Sequence, residues 1–300
     1  MKKTLFTQTS ICLILLSFVF IACKKKKPAQ KSGKSKLQII RVTGIPDENP
    51  TELQRKYKPM VEFLSKALGA KVEYVPVTDY GAAVQALIAG KIDFAWLGGF
   101  THVQARNFAK VEPLVMRDID RNFKSVFIAS TSAKINTIPE LKEKTFAFGS
   151  KSSTSGHLMP RHFLLTQFKL DPDKHFKGKP VFSGAHDATV KMVESGKVTG
   201  GALNAEVWKR LLNTKKVDTK KVKVVWTTPG YVDYVWTARS AIHLKLRKKF
   251  KKAFLGLDSK NPLHQKVLKL QGAKKFVKAQ AKDFDAIEKV ALSTGLLRKK

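Results

Sequence analysis

Two stretches of this chain, TDYGAAVQALIAGKIDFAWLGG from Thr78 and SGAHDATVKMVESGKVTGGALN from Ser183, can be laid over one another at an offset of 106 residues. Ala82 then matches Ala188, Val84 matches Val190, Gly90 matches Gly196, Lys91 matches Lys197 and Leu97 matches Leu203. Each unit reads as a polar turn, a helix, a Gly-Lys pair, a strand and a loop of small residues. Elements of this kind carry one apolar face each and need partners to cover it. A chain of 300 residues is long enough for two domains, and the repeat points to two lobes of similar build.

The rest of the body alternates in the same way. LQIIRVTGI from Leu37 is a strand stopped by Pro46, LQRKYKPMVEFLSKAL is a helix ending at Gly69, and KVEYVPV is the next strand. With the first repeat unit this makes a βαβαβ order, which predicts a parallel sheet with helices on its faces. VEPLVMRDI and FKSVFIAST follow as strands, IPELKEK as a short helix and TFAFG as a strand. HLMPRHFLLTQF is helical provided Pro160 lies in its first turn, since a proline further in would kink it. KPVFSG, VKVVWTT and YVDYVWTAR are later strands, and the lysine-rich C-terminus shows helical spacing. The expected class is α/β, with two βαβ lobes joined by a two-strand hinge near FKSVFIAST and YVDYVWTAR. Lobe 1 is expected to comprise residues 37–127 and 234–300, and lobe 2 residues 128–233.

The first 22 residues read as a secretion signal, with Lys2 and Lys3 ahead of the apolar run ICLILLSFVFIA, too short to span a bilayer. Ala22-Cys23 at its end resembles the lipobox where bacterial signal peptidase cuts before a lipid-modified cysteine. The alternatives are an ordinary signal peptide or a short anchor. Residues 23–36 then read as a tether rich in Lys, Gly, Ser and Pro. The chain's other cysteine, Cys12, lies in the signal, so the mature body has no thiol for a disulfide, a metal or a nucleophile. An exported, lipid-anchored protein facing the periplasm or cell exterior is expected.

In open α/β sheets ligands sit beyond the carboxyl ends of the strands, against helix N-termini. Three such places carry polar residues: Thr78, Asp79 and Tyr80; Ser183, His186 and Asp187; and the run Ser152 to Ser155 after TFAFG. That run, in GSKSSTSGHLMP, is either a flexible spacer or a helix start built to hold an anion with its free N–H groups and dipole.

The segments GIPDENPTELQRKYKPMVEFLSKALG, VTDYGAAVQAL, GKIDFAWLGGFTHVQAR, FAFGSKSSTSGHLMPRHFLL, FSGAHDATVKMVESGKV and ALNAEVW resemble the phosphate/phosphite/phosphonate-binding family of ABC-transporter solute-binding proteins. The resemblance runs from about Leu37 to Thr237. It implies a bilobal type 2 periplasmic-binding fold, closure about a hinge, and a small oxyanion held between the lobes for delivery to permease and ATPase subunits. The Ser-Ser-Thr-Ser-Gly helix start is kept as Ser152 to Gly156, and the tyrosine of the first-lobe turn as Tyr80. The family's Gly-Pro-x-x-Tyr loop departs to LGGFTHV, with Gly99 for proline and His102 near the tyrosine position, and Asn204 stands where phosphonate binders tend to carry an acid. The nearest branch is often labelled selenate-binding.

An oxyanion wants fixed donors, which hydroxyls and helix N–H groups supply without a counter-charge. A carboxylate helps only where the ligand keeps a proton to donate, as phosphate, phosphite and phosphonate do, and it repels sulfate or selenate. Tyr80, Ser152, Ser153, Thr154 and Ser155 are the expected donors. Thr101 and His157 border the expected cleft or face solvent; His102 and His186 are contacts or surface residues; Asn204 donates or accepts. Asp187 either accepts a ligand proton or caps its helix. No cofactor or metal is called for. GSKSSTSG is neither Gly-x-Ser-x-Gly nor a phosphate-binding loop, since its glycines are too far apart and His157 stands where lysine is needed. The net charge of +34 and KLRKKFKKAF suit a polyanion surface, but an exported chain without base-stacking motifs is not expected to bind nucleic acid. A monomer is expected.

Overall fold

The computed structural model of the chain describes residues 39–299, so Cys23 and the signal and tether assignments lie outside the described residues. Two sheets are present. In the first, β1 (Ile39–Gly44) pairs in parallel with β2 (Lys71–Tyr74) and β3 (Phe94–Leu97). β10 (Val235–Arg239) enters antiparallel between β3 and β4 (Val111–Arg117), and β11 (Phe276–Lys278) closes the edge beside β4. The expected parallel sheet is therefore mixed, because β10 returns from the other lobe and arrives running the opposite way. The second sheet has the order β7 (Val181–Phe182), β6 (Phe146–Phe148), β8 (Gly200–Asn204), β5 (Ser125–Ser130), β9 (Val222–Thr227).

Two segments, residues 118–124 and 228–234, run between the sheets and are clipped together by reciprocal hydrogen bonds between Phe123 and Tyr231, at 2.7 and 2.9 Å. The two crossing segments are not the expected strands: the first is a 3-10 turn at Asp118–Asn122, and the two meet only at the single Phe123–Tyr231 bridge. The expected boundary after residue 127 falls inside β5, which lies wholly in the second sheet. Beneath the joint, the Arg117 guanidinium is bound to Asp120 and covers the rings of Trp96, Phe123 and Tyr234.

Lobe 1 carries α1 (Pro50–Leu68), capped by Asn49 and ended by Gly69 at φ 64°, then α2 (Tyr80–Ile88) capped by Asp79. α3 (Gly99–Phe108) begins where the sequence reads as a loop: LGGFTHV is a helix start. Its glycines permit a close crossing, since a Cβ on Gly98 would lie 2.9 Å from Thr154 Oγ1 and one on Gly99 3.2 Å from Val232 O. Lobe 2 carries a π-turn (Thr154–Leu158) leading into α4 (Met159–Thr166), a short α5 (Pro172–His175), α6 (His186–Glu194) and α7 (Ala205–Asn213). Pro160 does lie in the first turn of α4. IPELKEK makes only a 3-10 turn at Pro139–Leu141. α8 (Leu244–Leu255), α9 (Pro262–Gln271) and α10 (Asp285–Ser293) complete lobe 1.

The offset of 106 carries both ends of α2 onto those of α6, so the repeat is structural. One apolar cluster fills lobe 1, and lobe 2 has one on each face of its sheet. Val126 and Ile128 of β5 join one of these, Phe127 and Ala129 the other, as the two-residue period of a strand requires.

Candidate functional site

The repeat places Tyr80 and His186 at equivalent positions, each the first residue of a helix at the cleft between the lobes. Both are buried, at 1% and 0% exposure, and each keeps a polar atom without a partner: Tyr80 Oη and His186 Nε2. The sequence leaves His186 as a contact or a surface residue; in the fold it is buried, not at the surface. Burial pushes its pKa down to about 4, so the ring is neutral near pH 7. Its Nδ1 accepts the Asn204 N–H at 3.4 Å, which leaves the proton on Nε2 and makes that atom a free donor. Burial also holds the Tyr80 phenol well above its usual pKa, so it too stays a donor, with Ser153 as a polar neighbour.

Between them stands the hydroxyl run. Ser153 Oγ caps the turn by accepting the Gly156 N–H at 2.9 Å. The N–H groups of Thr154 and Ser155, in the first turn of a helix, have no acceptor among the described residues. The flanking glycines are required by space: Gly149 N–H donates to Gly156 O at 2.8 Å, and a Cβ on Gly156 would lie 3.1 Å from both Gly149 Cα and His186 Cε1. The Ser155 hydroxyl sits beside that of Tyr231, which is 2.5 Å from Ser125 Oγ. A π-turn followed by an α-helix thus leaves two backbone donors unpaired at its start, as an anion cradle does.

The residue that completes the arrangement was not among those singled out from the sequence. Asp233, in the second crossing segment, is 1% exposed. Its Oδ1 accepts the Gly99 N–H at 2.9 Å, the Thr154 hydroxyl donates to the same carboxyl group, and Oδ2 has no partner. Burial raises its pKa to about 7 despite those bonds. The only legible signal was an acid between aromatic residues in YVDYV, a pattern for which strand alternation alone has no explanation.

Several expected residues instead hold the lobes together. Asp187 Oδ2 accepts from the backbone N and side-chain Nδ2 of Asn49 at 3.2 and 3.1 Å, while Oδ1 accepts the Ala188 N–H. Asn204 Oδ1 caps α7, and its Nδ2 donates to Tyr234 Oη, which in turn donates to Asp47 Oδ2, both at 3.0 Å. The His186 N–H donates to Asp47 O at 3.1 Å, the Phe100 N–H to Thr154 Oγ1 at 3.0 Å, and Arg210 pairs with Glu48. The lobes are therefore shut, and a groove of about 710 Å³ remains outside, lined by Pro46, Asp79, Ser183 and Asp187 among others.

Other expected residues are not brought to the cleft. His157 is buried with both ring nitrogens committed, Nδ1 to Lys151 O at 2.8 Å and Nε2 to the Arg161 Nε–H at 3.0 Å. Ser152 is half-buried in a separate groove with Leu296 and Leu297. Thr101 donates to Gly98 O inside α3. His102 is buried against Thr237 and Phe284, with its pKa lowered to about 3 by burial.

Comparison with known proteins places this geometry. A family model described as the periplasmic substrate-binding protein of a phosphonate ABC transporter matches residues 42–284. A probable ABC transporter phosphite-binding protein of Prochlorococcus marinus, PhnD1, is 38% identical over 273 residues, 87% of this chain and 91% of its own. A phosphate-import protein of Mycolicibacterium smegmatis is 29% identical over 81% of this chain and 78% of its own. The solved structure of PhnD1 with methylphosphonate superposes with a TM-score of 0.82, covering 86% of this chain and 99% of that one. The fold is the bilobal one of periplasmic binding proteins, and the chain belongs to the phosphonate substrate-binding family of ABC transporters.

Proposed function

We propose that the chain captures a small tetrahedral oxyanion that keeps one proton, of the phosphonate, phosphite or hydrogen phosphate type, and delivers it to an ABC permease while anchored by a lipid on Cys23. One observation carries the choice of ligand: of the five buried side-chain polar atoms without partners among the described residues, His102 Nε2 and Trp236 Nε1 belong to rings packed against Phe284 and Phe250, and the other three are two neutral donors, Tyr80 Oη and His186 Nε2, and one acidic acceptor, Asp233 Oδ2. With the free N–H groups of Thr154 and Ser155 they match an anion offering several acceptor oxygens and one O–H. The acid missing at Asn204 is supplied from the crossing segment. A fully ionised sulfate or selenate would face Asp233 with no proton to share, which disfavours the selenate reading. The ligands of the phosphite-binding and phosphate-import relatives belong to the favoured class.

Because the cleft floor is formed by the crossing segments, ligand entry needs the lobes to part about them, and closure excludes water from the donors. The test is a calorimetric and thermal-shift panel of phosphate, phosphite, methylphosphonate, aminoethylphosphonate, arsenite, sulfate and selenate. Binding to the native state alone raises the midpoint by mass action. One of the proton-bearing phosphorus anions should lead; sulfate or selenate leading would overturn the reading.

A further inference from the structure

The charge of this chain is not spread evenly. From Leu244 to Lys282 there are 13 Lys and Arg residues and one acid, Asp258. Helix α8 lies in this stretch. Its buried side, Phe250 and Phe254, packs into the lobe 1 core, and Glu112 pairs with Arg247 and Lys251. Lys245, Lys248 and Lys252, spaced at three and four residues, share the opposite side, are exposed, and make no ion pair among the described residues. Leu244 and Leu255 flank them at 50% and 37% exposure. With its apolar face held in the protein core, α8 offers lipid only this stripe of unpaired lysines and its two flanking leucines, a surface suited to electrostatic contact with anionic headgroups.

The position of this face adds a second argument. The described chain begins at Ile39, which pairs with Lys71 at the start of β2, two residues beyond Gly69 at the end of α1. Lys249 of α8 donates to Leu68 O, and a Cβ on Gly69 would lie 3.5 Å from its Nζ. The first described residue therefore lies at the end of lobe 1 that carries α8. The cleft lies at the other end of α1, next to Asp47 and Glu48. With 19 residues, α1 separates the two by about 28 Å. A membrane touching α8 would leave the cleft mouth open and lobe 2 free to move.

We infer that the exposed face of α8 docks lobe 1 onto the anionic headgroups of the membrane and orients the cleft away from it. The inference rests on the proposed lipid anchor for the presence of that membrane. Its test does not need the lipid. The chain from Lys24, which retains every described residue and both lobes' cores, is sedimented with phosphatidylglycerol-containing and with all-phosphatidylcholine vesicles. A lysine near an anionic surface adds about fivefold to partitioning, so K245Q/K248Q/K252Q together should weaken it about a hundredfold. Salt should weaken it too. A second variant, with Lys24 to Lys27 changed to Gln, measures the tether lysines, and methylphosphonate titration of both variants checks that the fold is intact. Unchanged partitioning of the α8 variant overturns the inference, as do equal binding to neutral vesicles and binding to heparin in solution without binding to vesicles. Mass spectrometry of the membrane-extracted protein separately decides the lipid: an unmodified Cys23 sinks the anchor and leaves the vesicle result standing.

Discussion

Replacing Asp233 by Asn tests the ligand reading most directly. Asn keeps an oxygen for the Gly99 N–H and the Thr154 hydroxyl and puts an NH₂ where Oδ2 stands alone. In the wild type at pH 8 the carboxyl, with its pKa at about 7, is mostly ionised. A ligand O–H donating to Oδ2 makes a charge-assisted bond worth about 1.5–3 kcal/mol. A ligand with no proton must instead wait for Asp233 to protonate, which costs about 1.4 kcal/mol at one unit above its pKa. Discrimination between hydrogen phosphate, which keeps an O–H at pH 8, and selenate should therefore shrink by about 3–4 kcal/mol in Asp233→Asn, through weaker phosphate and tighter selenate binding. Selenate affinity for the wild type should rise as pH falls through 7, and lose that dependence in the variant. Paired calorimetric titrations at pH 6 and pH 8 measure both effects. A folded variant with an unchanged ratio, together with a wild type whose selenate affinity ignores pH, would refute the assignment of Asp233 as proton acceptor.

Thr154→Ala with Ser155→Ala should weaken oxyanion binding by about 1–3 kcal/mol, read by calorimetry, because the hydroxyls that tie the turn to Phe100, Asp233 and Tyr231 no longer hold its two N–H donors in place; unchanged affinity would place the cradle elsewhere. Asp187→Asn should shift methylphosphonate and selenate affinities together, since Asp187 acts between the lobes through Asn49, and a change in their ratio would argue against that role. Stability without ligand carries two opposed pH terms. The folded His186, lowered to about 4, favours its neutral form, a contribution complete above the unfolded pKa near 6.5 and lost as pH falls towards 4. The folded Asp233, raised to about 7, favours its protonated form, a contribution present below the unfolded value near 3.8 and lost as pH rises to 7. These cancel between about pH 4.5 and 6, so removing one exposes the other: urea unfolding of Asp233→Asn should show stability rising by up to about 1.4 kcal/mol per pH unit there relative to wild type. The same pH profile in both proteins would show that the two burial costs are not what the geometry implies.

Much of this molecule was legible in its residues. Local periodicity marked almost every strand and helix, because a strand or helix with one buried face must repeat its apolar residues at two or at 3.6. The offset of 106 placed Tyr80 opposite His186, and the Ser-Thr run between glycines marked the cradle, since turn chemistry and helix capping are decided within a few neighbouring residues. His157 and His186 look alike in this respect: each lies at the start of a helix after a strand and a polar turn. One has both nitrogens taken by its own lobe and the other keeps a free Nε2, a difference set by the elements packed against each ring. Asp233 and Tyr234 belonged to a stretch that read only as a strand. Thr154 meets Phe100 across 54 residues, Asp233 meets Gly99 across 134, and Tyr234 meets Asp47 across 187. Which buried polar atoms find partners, and which are left for a ligand, depends on how the two lobes close over the crossing segments, and no local pattern encodes that packing.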